Sequence, residues 1–214
     1  MDSHDTLSPS RRPPKKAPRM LRNVARKYLI FSIFSIPPEL YAIPACEGQS
    51  DLDLATCAQK NFDLRDRDLN RSYNNLLKKL PLPQKQKFID TQRAWIKYKE
   101  NYCQQAFSAT APGAEASIDK WSCLASTTAS RIDEIHYLDS STGMDAFRRS
   151  LAVMANLYEG GDTTKVISKL RRDTSDGNNP DWVSYVDLDC SMTAAKLEEA
   201  HDVCVARLNF YKNW

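Results

Sequence analysis

The chain has 214 residues, ordinary shares of apolar and charged residues, and a formal net charge of +3. That length leaves room for one or two small domains, and only six glycines disfavour Gly-rich phosphate loops and turn-dense all-β folds. Residues 1–45 hold eight Lys or Arg against three acids, so 46–214 carries 22 basic and 24 acidic residues, a mildly acidic body without the basic face that dominates nucleic-acid affinity.

The first element is a leader. Tyr28-Leu29-Ile30-Phe31-Ser32-Ile33-Phe34-Ser35-Ile36 is uncharged and mostly apolar, follows Arg22, Arg26 and Lys27, and is broken by Pro37-Pro38. Small residues follow at Ala42 and Ala45. This order of basic, apolar and small residues predicts a secretory signal peptide, cleaved after Ala42 or Ala45. Nine residues are too few to cross a hydrocarbon core of ~30 Å as a helix. Met20 offers a simpler start than Met1, since the stretch before it is Pro-rich and basic. Ala45-Cys46 also has the order of a lipoprotein cleavage site, although Pro44 fits it poorly. Residues 1–45 are therefore read as a basic tail and signal peptide. The protein is expected to be exported, periplasmic or secreted, with membrane attachment only through the leader or a lipid on Cys46.

All six cysteines follow the leader, at Cys46, Cys57, Cys103, Cys123, Cys190 and Cys204. An even count in an exported chain reads as a disulfide framework, with about 15 connectivities open to six cysteines. They fall into three local couples, 46/57, 103/123 and 190/204, and pairing within each couple closes short loops at low entropic cost. A metal site would need closer ligand pairs with histidine nearby. There is no C-x-x-C, and the histidines are His4, His136 and His201. No metal or cofactor is expected.

Past Cys46 the apolar period is helical. Phe62, Leu69, Tyr73, Leu76 and Leu80 share one face of a first helix, with Asp51, Asp53, Asp63, Asp66 and Asp68 enriching its front in acid. Leu80-Pro81-Leu82-Pro83 ends it. A second helix is predicted over 84–107, and a third over 115–138 with Ile118, Trp121, Ala125, Ile132 and Ile135 inward. Residues 139–143 form a linker. Met144, Phe147, Leu151, Met154 and Tyr158 mark an amphipathic helix stopped by Gly160-Gly161. Asp162 caps a short helix through Leu170, and residues 174–180 are a turn-rich loop. Glu198-Glu199, adjacent in sequence, read as solvated charge.

One pattern recurs. Trp95, Tyr98 and Cys103 read W-x-x-Y-x-x-x-x-C, and so do Trp182, Tyr185 and Cys190; each is followed by a second cysteine. The C-terminal part is therefore read as a shortened second copy of the hairpin formed by helices two and three. The fold class is all-α, built from disulfide-stapled antiparallel hairpins, in segments 46–139 and 144–214.

Cys46, Cys57-Ala58, Asp68-Leu69-Asn70, Tyr73, Gln92-Arg93-Ala94-Trp95, Tyr98, Cys103, Cys123 and Arg131 together resemble the N-terminal domain of LprI-type lysozyme inhibitors, over about 46–138. The resemblance implies a secreted or lipid-anchored helical protein. It also implies a protein partner, lysozyme or another cell-wall hydrolase, that is bound and inhibited by occlusion. The alternative is an envelope interaction module, such as an immunity protein or accessory scaffold, with a different partner. Candidate binding residues are Asp68, Asn70, Tyr73, Gln92, Arg93 and Trp95. Their bottom-up reading is largely structural: Tyr73 and Trp95 lie on apolar faces, Asn70 and Gln92 are suited to satisfying buried polar groups, and Arg93 is expected to pair with Asp66 or Asp68. No G-x-S-x-G, H-E-x-x-H or P-loop occurs, and no enzymatic activity or catalytic residue is expected.

Overall fold

A computed structural model describes residues 45–48, 50–172 and 179–212. The segment read as a basic tail and signal peptide, as far as residue 44, and the 174–178 part of the predicted turn-rich loop lie outside the described residues. Those described fall within one unit, Ala42–Trp214, and among them every regular element is helical.

Helix α1 spans Asp51–Lys79 and starts well before Phe62. Ser50 caps it by accepting from the Asp53 amide, and Asp51 and Asp53 lie in the first turn, where carboxylates oppose the positive end of the helix dipole. Pro81 then leads into α2, Leu82–Thr110, with Pro83 in its first turn, where a missing N–H costs nothing. Helix α3 is Ala116–Ser140. The chain turns at Ser141 and at Gly143, whose φ of +94° and 2.8 Å approach of a built Cβ to the Asp133 carbonyl oxygen require glycine. Helices α4 (Asp145–Tyr158) and α5 (Thr163–Arg171, capped by Asp162) follow. The chain ends in α6 (Pro180–Leu197, capped by Asn179) and α7 (His201–Lys212).

Side-chain contacts set the packing. Helices α1 and α3 run parallel, with Phe62 on Trp121, Ser72 at His136 and Lys79 at Asp139. Helix α2 is antiparallel to both: Tyr73 of α1 stacks on Phe88 at 4.9 Å, and Cys103 is bonded to Cys123 of α3. Helix α6 lies antiparallel along α2, where Asp181 meets Lys97 and Asn101 and Trp182 meets Tyr98. A single core joins Leu69, Leu76, Phe88 and Ile135 to Tyr185, Met192 and Leu208, so the segments on either side of the 139–143 linker share their interior. A smaller cluster around Phe147, Ala206 and Phe210 seats α4 and α5 against α7.

The three disulfides are Cys46–Cys57, Cys103–Cys123 and Cys190–Cys204, the sequential pairing read from the spacing. The last two each tie one helix to the next. The C-terminal hairpin, of 18 and 12 residues, is shorter than the 29- and 25-residue hairpin of α2 and α3.

Candidate functional site

The repeated W-x-x-Y pattern meets itself at the α2–α6 seam. Tyr98 lies 4.7 Å from Trp182 and 6.2 Å from Tyr185, with the two tyrosine rings only 10° from parallel. Because α2 and α6 are antiparallel, a motif at the same spacing on each helix brings its aromatic residues opposite one another. The rings form one wall of a cavity of about 410 Å³ between α2, α3, α6 and α7, completed by Tyr102, Tyr211 and Trp95. Gln105, Ser126 and Ser130 line it with polar side chains, and the Cys103–Cys123 bond forms part of its rim through Cys123.

Among the described residues Glu134 is the one acid lining this cavity, and behind it lies a sealed ionic network. Arg131, fully buried, donates from Nε to Gln92 at 3.0 Å and from Nη1 to Glu134 at 2.9 Å and Asp189 at 2.7 Å. Nη1 also reaches the Tyr185 hydroxyl at 3.2 Å, and that hydroxyl donates to the Glu134 carboxylate. Arg207, 1% exposed, donates through Nε and Nη2 to Glu199 at 3.0 and 2.8 Å and lies 3.8 Å from Asp189. Asp189 thus stands between two buried guanidinium groups. Burial opposes the charge of Arg131, but Tyr185, Asp189 and Glu134 outweigh it and raise its pKa. Burial likewise opposes Arg207 and is outweighed by its hydrogen bond to Glu199 and by that carboxylate's charge. Glu134 goes the other way. Burial and the neighbouring Asp189 push its carboxyl up against the pull of the two arginines.

This network corrects the reading of Glu198-Glu199 as solvated charge. Glu198 is exposed and closes α6 in the left-handed region at φ +57°, which turns Glu199 back onto Arg207 and under the Tyr137 hydroxyl.

Of the predicted binding residues, Trp95 lines the cavity and is 3% exposed, and Gln92 belongs to the network behind it. The Trp95 ring lies 4.8 Å from the ammonium of Lys99, a buried lysine that also covers Phe62 and whose pKa burial lowers. Tyr73 is half-buried on Phe88. Asp68, Asn70 and Arg93 stand on the outer surface of α1 and α2. Asn70 does not serve a buried group: it is exposed and donates to Asp66 at 2.9 Å. Arg93 does not cross to Asp66 or Asp68. It pairs with Asp90 at 3.6 Å, and Asp68 pairs with Arg71 at 2.9 Å, each one turn away on its own helix. Partners three residues apart on one helix meet without bridging two helices, which holds fewer rotors fixed.

Arg131, Tyr98, Tyr185 and the three cysteine couples stand out in the sequence, but the acids that hold the arginines do not. The signal for Asp189 was available, since it directly precedes Cys190 on the inner face of α6.

Residues 45–135 match the family model described as Lysozyme inhibitor LprI. The matched segment covers α1, α2 and α3 as far as Ile135, under half of the chain, and includes four of the six cysteines. It contains Gln92, Arg131 and Glu134, whereas Tyr185, Asp189, Glu199 and Arg207 lie beyond it. The ionic network thus draws three of these seven residues from the matched segment and four from the C-terminal hairpin. No curated protein and no solved structure matches the chain. Among the described residues, no helix is long and apolar enough to cross a membrane, and no group of three or more His, Cys, Asp or Glu is placed to hold a metal ion.

Proposed function

We propose that this is an exported protein that binds lysozyme or a related cell-wall hydrolase and blocks it by occlusion. The observation that carries the reading is the match of residues 45–135 to the lysozyme-inhibitor family. Three disulfides accord with folding in an oxidising compartment, and the leader read from the sequence supplies the route. The binding surface we propose is the outer side of α1 and α2, where Asp68, Asn70 and Arg93 are accessible. Asp51, Asp53 and Asp63 extend that surface with exposed acid along the front of α1, a charge suited to a cationic enzyme through electrostatic steering. Tyr73, Gln92 and Trp95 contribute by holding the helices that present it. Attachment through a lipid on Cys46 competes with its disulfide to Cys57, and the disulfide favours a free mature chain.

The test is turnover of cell-wall substrate by several lysozymes in the presence of stoichiometric purified protein. Inhibition that saturates near one equivalent is expected, and full activity of every lysozyme tested would remove the reading. One observation favours the second reading, an envelope module with another partner: residues 136–214 lie outside the family match. Recovery of a single non-hydrolase partner from a periplasmic extract, together with no effect on lysozymes, would move the assignment there.

A further inference from the structure

We infer that the aromatic cavity between α2, α3, α6 and α7 is a binding site for a neutral sugar ring of a glycan. The cavity, about 410 Å³, falls within the roughly 300–1,000 Å³ range of small-ligand pockets. Its lining divides by chemistry between rings, of which Tyr102 and Tyr211 are partly exposed and Tyr98, Trp182 and Tyr185 are buried, and polar side chains, with Gln105, Ser126 and Ser130 from α2 and α3. The Glu134 carboxyl adds a further polar group.

Other ligand classes fit this division less well. An aliphatic chain would cover the rings but take water from the amide of Gln105 and the hydroxyls of Ser126 and Ser130 without replacing it. An organic cation is drawn to ring faces, but the Lys212 ammonium already lines the cavity, 5.0 Å from the Trp182 centroid, and repels a second cation. An anion would meet Glu134, and with Glu134 matched by Lys212 the lining has no net charge to draw an ion of either sign. A pyranose has one face of C–H groups to lay on an aromatic ring and an equatorial rim of hydroxyls that both donate and accept. That is the complement of a lining that offers rings together with an amide, hydroxyls and a carboxyl. The Cys103–Cys123 bond and the Arg131 network fix the surrounding helices, so the site is formed before ligand arrives and ordering costs are small.

The site stands apart from the proposed hydrolase-binding surface, which lies on the outer side of α1 and α2. The experiment is calorimetric titration of the oxidised full mature chain with N,N′-diacetylchitobiose, cellobiose and maltose. Tetramethylammonium and hexanol serve as probes of the other two chemistries. Two variants at exposed lining positions accompany it: Ser126→Trp, which fills the cavity, and Gln105→Ala, which removes one hydrogen-bonding partner. Circular dichroism and the thermal midpoint check that both fold. One-to-one binding of at least one disaccharide is expected, lost in Ser126→Trp and weakened about tenfold in Gln105→Ala. The inference is overturned if no disaccharide binds saturably, if binding is unchanged in both folded variants, or if only tetramethylammonium or hexanol binds. Lysozyme inhibition measured on the same variants separates the two readings, since neither Ser126 nor Gln105 is among the residues proposed to contact the hydrolase.

Discussion

Arg131 Nη1 stands 2.7 Å from Asp189 Oδ1, and both side chains are sealed from water, at 0% and 1% exposure. The pair joins α3 to α6 and therefore ties the LprI-like segment to the part of the chain that the family model does not reach. Removing either partner leaves a buried charge short of its nearest counterion, with only Glu134 left for Arg131 at 2.9 Å or Arg207 left for Asp189 at 3.8 Å. Asp189→Asn and Arg131→Met are each expected to lower unfolding free energy by ~3–5 kcal/mol. Chemical denaturation of the oxidised protein measures this, with Asp145→Asn on the exposed start of α4 as a control that changes little.

The same relationship predicts what happens when the family-like part is cut out. A fragment of 45–143 uncovers Arg131, Glu134 and Tyr98 and loses the α6 face of the core. It is expected to keep its helical far-ultraviolet signal but lose fixed aromatic packing, with collapsed near-ultraviolet dichroism and fast amide exchange in α2 and α3. A fragment with native near-ultraviolet bands would show the α1–α3 bundle to be self-sufficient.

Glu134 gives the stability a pH dependence of definite sign. Burial and Asp189 raise its pKa in the folded state above the ordinary value of 4.5. Its contribution to stability is therefore complete below that value and is lost as pH rises through the folded pKa. Glu134→Gln mimics the protonated side chain. Relative to this variant, the native protein is expected to be equally stable in acid and progressively less stable toward neutral pH. The difference in urea midpoint between the two proteins, followed across that range, isolates this one carboxyl from the others.

The C-terminal hairpin depends on its bridge. Cys190 and Cys204 are fully buried and close a loop with a separation of 14 residues. Replacing both by alanine is expected to cost about 3 kcal/mol. Loss of protection in α6 and α7 by hydrogen exchange, with α1 less affected, would locate the damage.

Contact and support can be told apart on the proposed hydrolase-binding surface. Asp68→Ala, Asn70→Ala and Arg93→Ala change exposed groups, so they are expected to weaken inhibition without moving the thermal midpoint. Trp95→Ala and Gln92→Ala are expected to lower the midpoint first, with Trp95→Ala costing ~3–5 kcal/mol as a large-to-small core change. Equal loss of inhibition and of stability at Asn70 or Arg93 would move those residues from contact to scaffold.

Much of the architecture was legible because it rests on local signals. The 3–4 spacing of Leu69, Tyr73, Leu76 and Leu80 marks one face, Pro81 and Pro83 mark a boundary, and three close cysteine couples indicate three bridges. The front of α1 was marked by its acids, Asp51 and Asp53, rather than by an apolar face, because Asp51–Asn61 has few large apolar residues. Its helix is carried by the Ser50 cap, the acidic first turn and burial of the small Ala55 and Ala58. The cavity was half visible, since the repeated Trp–Tyr spacing identified the rings but not that the two helices lie antiparallel and face them together. The ionic network was least visible. An arginine or an aspartate in sequence reads as surface, and only the packing of α3, α6 and α7 shows which charges are enclosed together.

A buried guanidinium with its carboxylate 58 positions further along the chain also imposes an order in time. Synthesis proceeds from the N-terminus, so α1, α2 and α3 emerge while Asp189 has not yet arrived. Until it does, Arg131 has only Gln92 and Glu134 from its own segment, and the seam that α6 will cover faces water. The buried charge of Arg131 is therefore fully matched only once α6 has settled onto α2, beside the Cys190–Cys204 bond.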